Sequence, residues 1–155
     1  MKTIPVPIAR FLDHKTIAVI GVSRGGQSPA NGIMKRLRET GHTVYPVNPN
    51  AETVEGERCY PDVLSLPERP GGAVIVTRPE IAAAAAGLCA EAGVRDVWLH
   101  RSIGTGSYSA EAVRECERKQ IGCIAGGCPM MYCGKVDIFH ACMRGIMTWR
   151  KQLPA

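Results

Sequence analysis

Gly21-Val22-Ser23-Arg24-Gly25-Gly26-Gln27-Ser28 is the segment of this chain best equipped for chemistry. Its glycines let backbone amides come close to a ligand, Ser23 and Ser28 offer hydroxyls, and Arg24 offers a cation. Ser28-Pro29 then reads as the start of a helix, a capping residue followed by a first-turn proline. The free N–H groups at such a start favour a phosphate or pyrophosphate. The segment is not a P-loop, because no Gly-Lys-Ser/Thr follows the glycines. It also departs from the dinucleotide fingerprint. Ser23 stands where the middle glycine belongs, and Val47-Asn48-Pro49 ends the next strand without an acid for a ribose 2′-hydroxyl, which disfavours NAD. Gly21-x-Ser23-x-Gly25 matches the nucleophile elbow of hydrolases, and Asp137 and His140 follow in the matching order. Those two lie only three residues apart, however, and the serine follows the first strand of a chain short for that fold.

A second group of reactive side chains lies near the C-terminus. Cys128, Cys133, His140 and Cys142 are zinc-ligand types, but one gap contains Pro129 and another crosses a predicted helix, unlike the tight pairs of structural zinc. No metal is expected. The seven cysteines are odd in number and scattered, so they read as reduced thiols of a cytoplasmic protein. Cys59, Cys89, Cys116 and Cys123 read as core fillers, and Cys128 is an alternative thiol nucleophile.

These residues need a scaffold, and the apolar pattern supplies one. Short β-branched runs predict five strands, over 15–21, 42–47, 71–77, 95–99 and 121–125. Helices are predicted over 29–40, 79–92, 109–120 and 137–151, the first and third capped by Ser28 and Ser109. Strands mostly separated by helices require right-handed crossovers, hence a doubly wound α/β domain with a parallel sheet covered on both faces. In such sheets ligands bind beyond the carboxyl ends of the strands where the order reverses, and the 21–28 loop is the leading place for that.

Composition narrows the classes further. The 155 residues are 45% apolar and 21% charged, as in an ordinary globular protein of one domain, with a core over about 11–130 and a C-terminal helix over about 137–151. The longest apolar stretch, 81–90, is too short to span a bilayer, and the N-terminal prolines break the helix a signal sequence would need. Neither a membrane nor nucleic acid is an expected partner: the net charge of +5 is thinly spread, and the aromatics, at 5%, are not interleaved with it. The apolar face with Phe139, Met143, Ile146, Met147 and Trp149 suits either its own sheet or another subunit, leaving a homodimer or a partner enzyme open. Arg36 and Arg38 read as a solvated helix face, Trp98 as core, and His100 as a hydrogen-bonded strand-end histidine.

Gly21-Val-Ser, Gly41-His-Thr-Val-Tyr-Pro-Val-Asn-Pro49, Gly56-Glu-Arg-Cys-Tyr60, Thr77-Arg-Pro79, Val97-Trp-Leu99 and Gly127-Cys-Pro129 together resemble the CoA-binding domain family. These are small Rossmann-like proteins related to the CoA-binding domain of succinyl-CoA synthetase alpha subunits and ADP-forming acyl-CoA synthetases. The resemblance implies a flavodoxin-like five-stranded parallel sheet of order 3-2-1-4-5 and CoA or an acyl-CoA as ligand, bound without catalysis. Carried over, Gly21, Val22, Ser23, Arg24 and Gly25 would hold the pyrophosphate, and Val47, Asn48 and Pro49 would border the adenosine. Arg78, at the carboxyl end of the third strand, would be an additional cation. Relatives often place a lysine after Pro-Val-Asn-Pro, suited to a ribose 3′-phosphate, where this chain has Asn50, Ala51 and Glu52.

Overall fold

The computed structural model describes residues 3–153. In chain order they form α1 (Val6–Leu12), β1 (Thr16–Ile20), α2 (Pro29–Glu39), β2 (Thr43–Val47), β3 (Thr53–Val54), β4 (Glu57–Arg58), β5 (Gly72–Ile75), α3 (Pro79–Glu91), β6 (Asp96–Leu99), α4 (Ala110–Arg118), β7 (Gly122–Ala125) and α5 (Ile138–Trp149). Five parallel strands build the main sheet in the order β2-β1-β5-β6-β7, a Rossmann-like α/β arrangement, and β3 and β4 form a separate antiparallel hairpin.

The side-chain period of a strand divides the core in two. Ile17, Val19, Val74, Trp98 and Ile124 point to the face covered by α1, α2 and α5, whereas Ala18, Ile20, Ala73, Ile75, Val97 and Leu99 point to the face covered by α3 and α4. Alanines at 82, 85 and 86 make that second layer thin enough for α3 to lie close on the sheet. On the first face, Phe11 meets the fully buried Trp98 edge-on with ring centroids 5.3 Å apart. Such a pair adds about 0.5–1.5 kcal/mol beyond its area burial. The Trp98 indole N–H donates to the Gly126 carbonyl at 2.8 Å.

Two expectations are corrected. Counted along the chain, the five sheet strands lie in the order 2-1-3-4-5, not 3-2-1-4-5, because the third of them, β5, pairs with β1 from Ile17 opposite Gly72 to Ile20 opposite Ile75. Every residue of β5 is buried, so it needs neighbours on both sides, while β2 carries Pro46, which cannot donate to a ladder and suits an edge. Prolines near the N-terminus do not prevent a helix either. Pro5 caps α1 and Pro7 lies in its first turn, where no intrahelical N–H is required, and Ile8 and Phe11 bury its inner side. The start of β6 holds this helix through Asp96, which is buried and accepts from Arg10 and, at 2.7 Å, pairs with His14 Nε2.

Candidate functional site

The chain leaves β1 and β5 toward opposite sides of the sheet, so the crevice that such a sheet forms falls at their carboxyl ends, between the 21–28 loop and the 76–78 turn. Gly21 sits at its base with φ +102°, donating its N–H to the Val47 carbonyl at 2.9 Å; a Cβ there would run into the Val76 carbonyl oxygen. Close packing between the ends of β1 and β5 is therefore what requires this glycine.

Beyond it, the loop is held from inside. The Ser23 N–H donates to Asn31 Oδ1 at 2.8 Å, and Asn31 Nδ2 donates to the Ser23 carbonyl at 2.9 Å. Ser23 Oγ accepts from the Gly25 N–H, and the Gly26 N–H donates to the Ser23 carbonyl, both at 3.2 Å. Ser28 caps α2 by accepting from the Ala30 N–H and donates its own hydroxyl to the Gly21 carbonyl, again at 3.2 Å each. The amides of Gly21, Ser23, Gly25 and Gly26 are thus engaged, whereas among the described residues those of Arg24, Gln27 and Ser28 meet no protein acceptor. Asn31 looks in sequence like one more residue of an amphipathic helix; only its burial, at 1% exposure, marks it out.

Of Val47, Asn48 and Pro49, only Pro49 lines a cleft. Val47 is buried, and the Asn48 side chain is engaged with the loop, donating from Nδ2 to the Val22 carbonyl at 2.7 Å and accepting the Asn50 N–H at 2.8 Å. Pro49, Asn50 and Glu52 form one wall of a cleft of about 860 Å³, with Arg24 and Arg58 among its other walls. Arg58 comes from the hairpin, two strands of two residues too short to show as a periodic pattern. Arg78 is not part of this cleft. Its backbone caps α3 without a side-chain hydrogen bond, beside Thr77, whose N–H and carbonyl are both bonded to Ser107 Oγ at 2.8 Å. Arg36 and Arg38 are engaged elsewhere: Arg38 with Glu57 and the Val44 carbonyl, Arg36 with Glu39 and the carbonyls of Cys133 and Lys135.

The remaining reactive groups serve the fold. Asp137 caps α5 through the His140 N–H at 3.0 Å and pairs with His140 Nδ1 at 2.6 Å, and these bonds hold its carboxyl below the usual carboxylate range. No hydrogen bond joins His140 to Ser23 among the described residues. Burial pushes the Cys128 thiol up to about 12 and that of Cys133 to about 11, the opposite of what a thiol nucleophile needs. His100 is buried at the end of β6, where desolvation, with a lesser contribution from His140, takes it down to about 4. Its side chain makes no hydrogen bond among the described residues, unlike the bonded histidine expected there.

An open, doubly wound parallel sheet with its first loop at the carboxyl end of β1 defines the Rossmann-like α/β class. The chain belongs to the CoA binding domain family, whose model matches residues 15–134. It is 35% identical over 118 residues to acetate–CoA ligase [ADP-forming] II of Archaeoglobus fulgidus, a match covering 74% of this chain and 17% of that protein. It thus spans about a sixth of that relative's length. Among solved structures it resembles a hypothetical protein from Pyrococcus horikoshii OT3, with TM-score 0.73 and 30% identity over 84% of this chain and 94% of that one. It also resembles the dinucleotide forming acetyl-coenzyme A synthetase 1 of Candidatus Korarchaeum cryptofilum in complex with phosphate and ADP. There the TM-score is 0.66 and the identity 26%, over 77% of this chain and 27% of that one.

Proposed function

We propose that this protein binds CoA or an acyl-CoA reversibly and does no chemistry on it. The observation that carries this reading is the placement of Arg24, whose amide is unengaged like those of Gln27 and Ser28 and which also lines the cleft with Pro49 and Asn50. The amides and the positive end of α2 suit a pyrophosphate, and the cleft offers room for the adenosine. Membership of the CoA binding domain family supports the ligand class. The buried, high-pKa Cys128 and the separate engagement of Ser23 and His140 support binding over turnover. Likeness to a small part of an acetate–CoA ligase supports a second arrangement, in which the site serves a partner enzyme. The seven unpaired thiols favour the cytoplasm as its setting.

Thermal unfolding with added ligand tests the reading. A ligand that binds only the folded chain stabilises it by about 2.7 kcal/mol at a hundredfold excess over its dissociation constant. CoA should raise the melting temperature and NAD should not; equal shifts from both would overturn the assignment. Acetyl-CoA incubated with the protein should release no free thiol, and any release that disappears in Ser23→Ala or Cys128→Ser would establish the hydrolytic alternative.

A further inference from the structure

The loop after β2 has no cation of its own: Asn50, Ala51 and Glu52 follow Pro49. The same cleft is nevertheless lined by two arginines. Arg24 comes from the loop after β1 and Arg58 from β4.

Several contacts fix where Arg58 stands. Tyr60, two residues on, forms a parallel bridge with Val47; its N–H donates to the Pro46 carbonyl at 3.0 Å, and its carbonyl accepts the Asn48 N–H at 2.9 Å. The Cys59 N–H donates to the Glu52 carbonyl at 2.8 Å. The outgoing strand of the hairpin is thereby tied to the end of β2 and to the neighbouring 49–52 loop of the cleft wall. The Arg58 guanidinium lies 5.0 Å from the centre of the Tyr60 ring, which limits its rotamers without neutralising it.

The charge balance around the hairpin points the same way. Of the carboxylates on the hairpin, Glu57 pairs with Arg38 at 2.7 Å, and Glu55, which lies against Gly26 of the 21–28 loop, pairs with Lys35 at 3.0 Å. Among the described residues Arg24 and Arg58 have no ion-pair partner, and Glu52 is the one acidic side chain on the cleft wall. Two unpaired cations against one carboxylate leave a net positive opening at the adenosine end, suited to a dianion beyond the pyrophosphate.

We propose that Arg58 recognises the ribose 3′-phosphate of the bound coenzyme, so that the cleft selects 3′-phosphorylated CoA over 3′-dephospho-CoA. This rests on the CoA reading above and adds a specificity-determining residue to it. Arginine suits the task because its planar fork meets two phosphate oxygens at once.

Calorimetric titrations of CoA and 3′-dephospho-CoA into the wild-type protein, Arg58→Ala and Arg58→Lys separate this inference from the one beneath it. The wild type should bind CoA at least tenfold more tightly than 3′-dephospho-CoA. In Arg58→Ala that ratio should fall to about one, with 3′-dephospho-CoA binding unchanged, and in Arg58→Lys it should be partly retained. The wild-type ratio should also shrink as salt is raised. Equal wild-type affinity for the two ligands, or an Arg58→Ala loss shared by both, overturns the role of Arg58 while leaving CoA binding in place. Absence of binding by either ligand overturns both. Because Arg58 is exposed and makes no side-chain hydrogen bond among the described residues, its replacement should leave the melting temperature of the free protein within a few degrees, a control on the folding of each variant.

Discussion

Asn31 grips Ser23 through both of its backbone polar groups, accepting its N–H at 2.8 Å and donating to its carbonyl at 2.9 Å. A buried residue of α2 thus dictates the path of the exposed loop ahead of it. Asn31→Ala should lower stability by roughly 1–3 kcal/mol, since it leaves the Ser23 N–H without a partner and the Ser23 carbonyl with the Gly26 N–H alone. CoA affinity should fall as well, because the amides of Arg24 and Gln27 would no longer be held in place. Denaturant unfolding and calorimetry on one variant check both; a stable Asn31→Ala protein with unaltered loop exchange would contradict the clamp.

The glycines of the loop separate into one whose Cβ the fold excludes and one with room for a side chain. Gly21→Ala should destabilise the fold by about 2 kcal/mol or more, because the new methyl meets the Val76 carbonyl at a left-handed φ. A Cβ at Gly25, by contrast, comes no closer than 3.7 Å to Ser23 Oγ. Gly25→Val should therefore fold, yet weaken CoA by about tenfold, or ~1.4 kcal/mol, by filling the approach to the loop. Arg24→Ala should weaken CoA to a similar extent, and less so in high salt. Melting curves beside titrations distinguish the two kinds of glycine.

His100 predicts the acid limb of the stability curve. Its imidazole takes a proton only near pH 4 in the folded chain, against an ordinary value of 6.5. Between those values the unfolded chain holds the proton and the native chain does not, so stability falls as pH drops through the window and is fully present above it. The whole span is worth roughly 3 kcal/mol. His100→Gln should flatten this slope, as measured by denaturant unfolding across that pH range.

The cysteines should divide by reactivity. Cys142 is exposed, whereas Cys89 and Cys128 are buried with thiols pushed up to about 12. Alkylation of the folded protein followed by peptide mass mapping should mark Cys142 first and reach Cys89 and Cys128 only on unfolding. Rapid native labelling of Cys128 would restore it as a candidate nucleophile.

Local chemistry made much of this architecture legible. Ser28 and Ser109 cap helices as their positions suggested, accepting from Ala30 and Ala112, and the apolar runs mark all five sheet strands to within one or two residues. What local chemistry does not encode is which strand lies beside which. Pro46 carried the edge signal for β2, but the place of β5 depends on contacts far along the chain. The same limit hid half of the candidate site. Arg24 and Pro49 stand in recognisable motifs, whereas Arg58 reaches the cleft on a hairpin too short for periodicity, and Asn31 and Ser107 acquire their roles only through burial. Asn48, conspicuous in its motif, turns out to hold the loop rather than face the cleft.

The pairing of β1 with β5 also has a kinetic meaning. It joins strands about 55 residues apart, and the crevice between the 21–28 loop and the 76–78 turn has no second lip until that pairing forms. Closing so long a segment costs chain entropy before any contact rewards it, so the crevice assembles late in folding, after β1 and β2 have met across the much shorter α2 connection. The cleft walled by Arg24, Pro49 and Arg58 draws only on residues 24–61 and does not wait for this pairing, whereas a ligand long enough to touch both lips would act as a latch on the finished molecule, slowing its opening without speeding its formation.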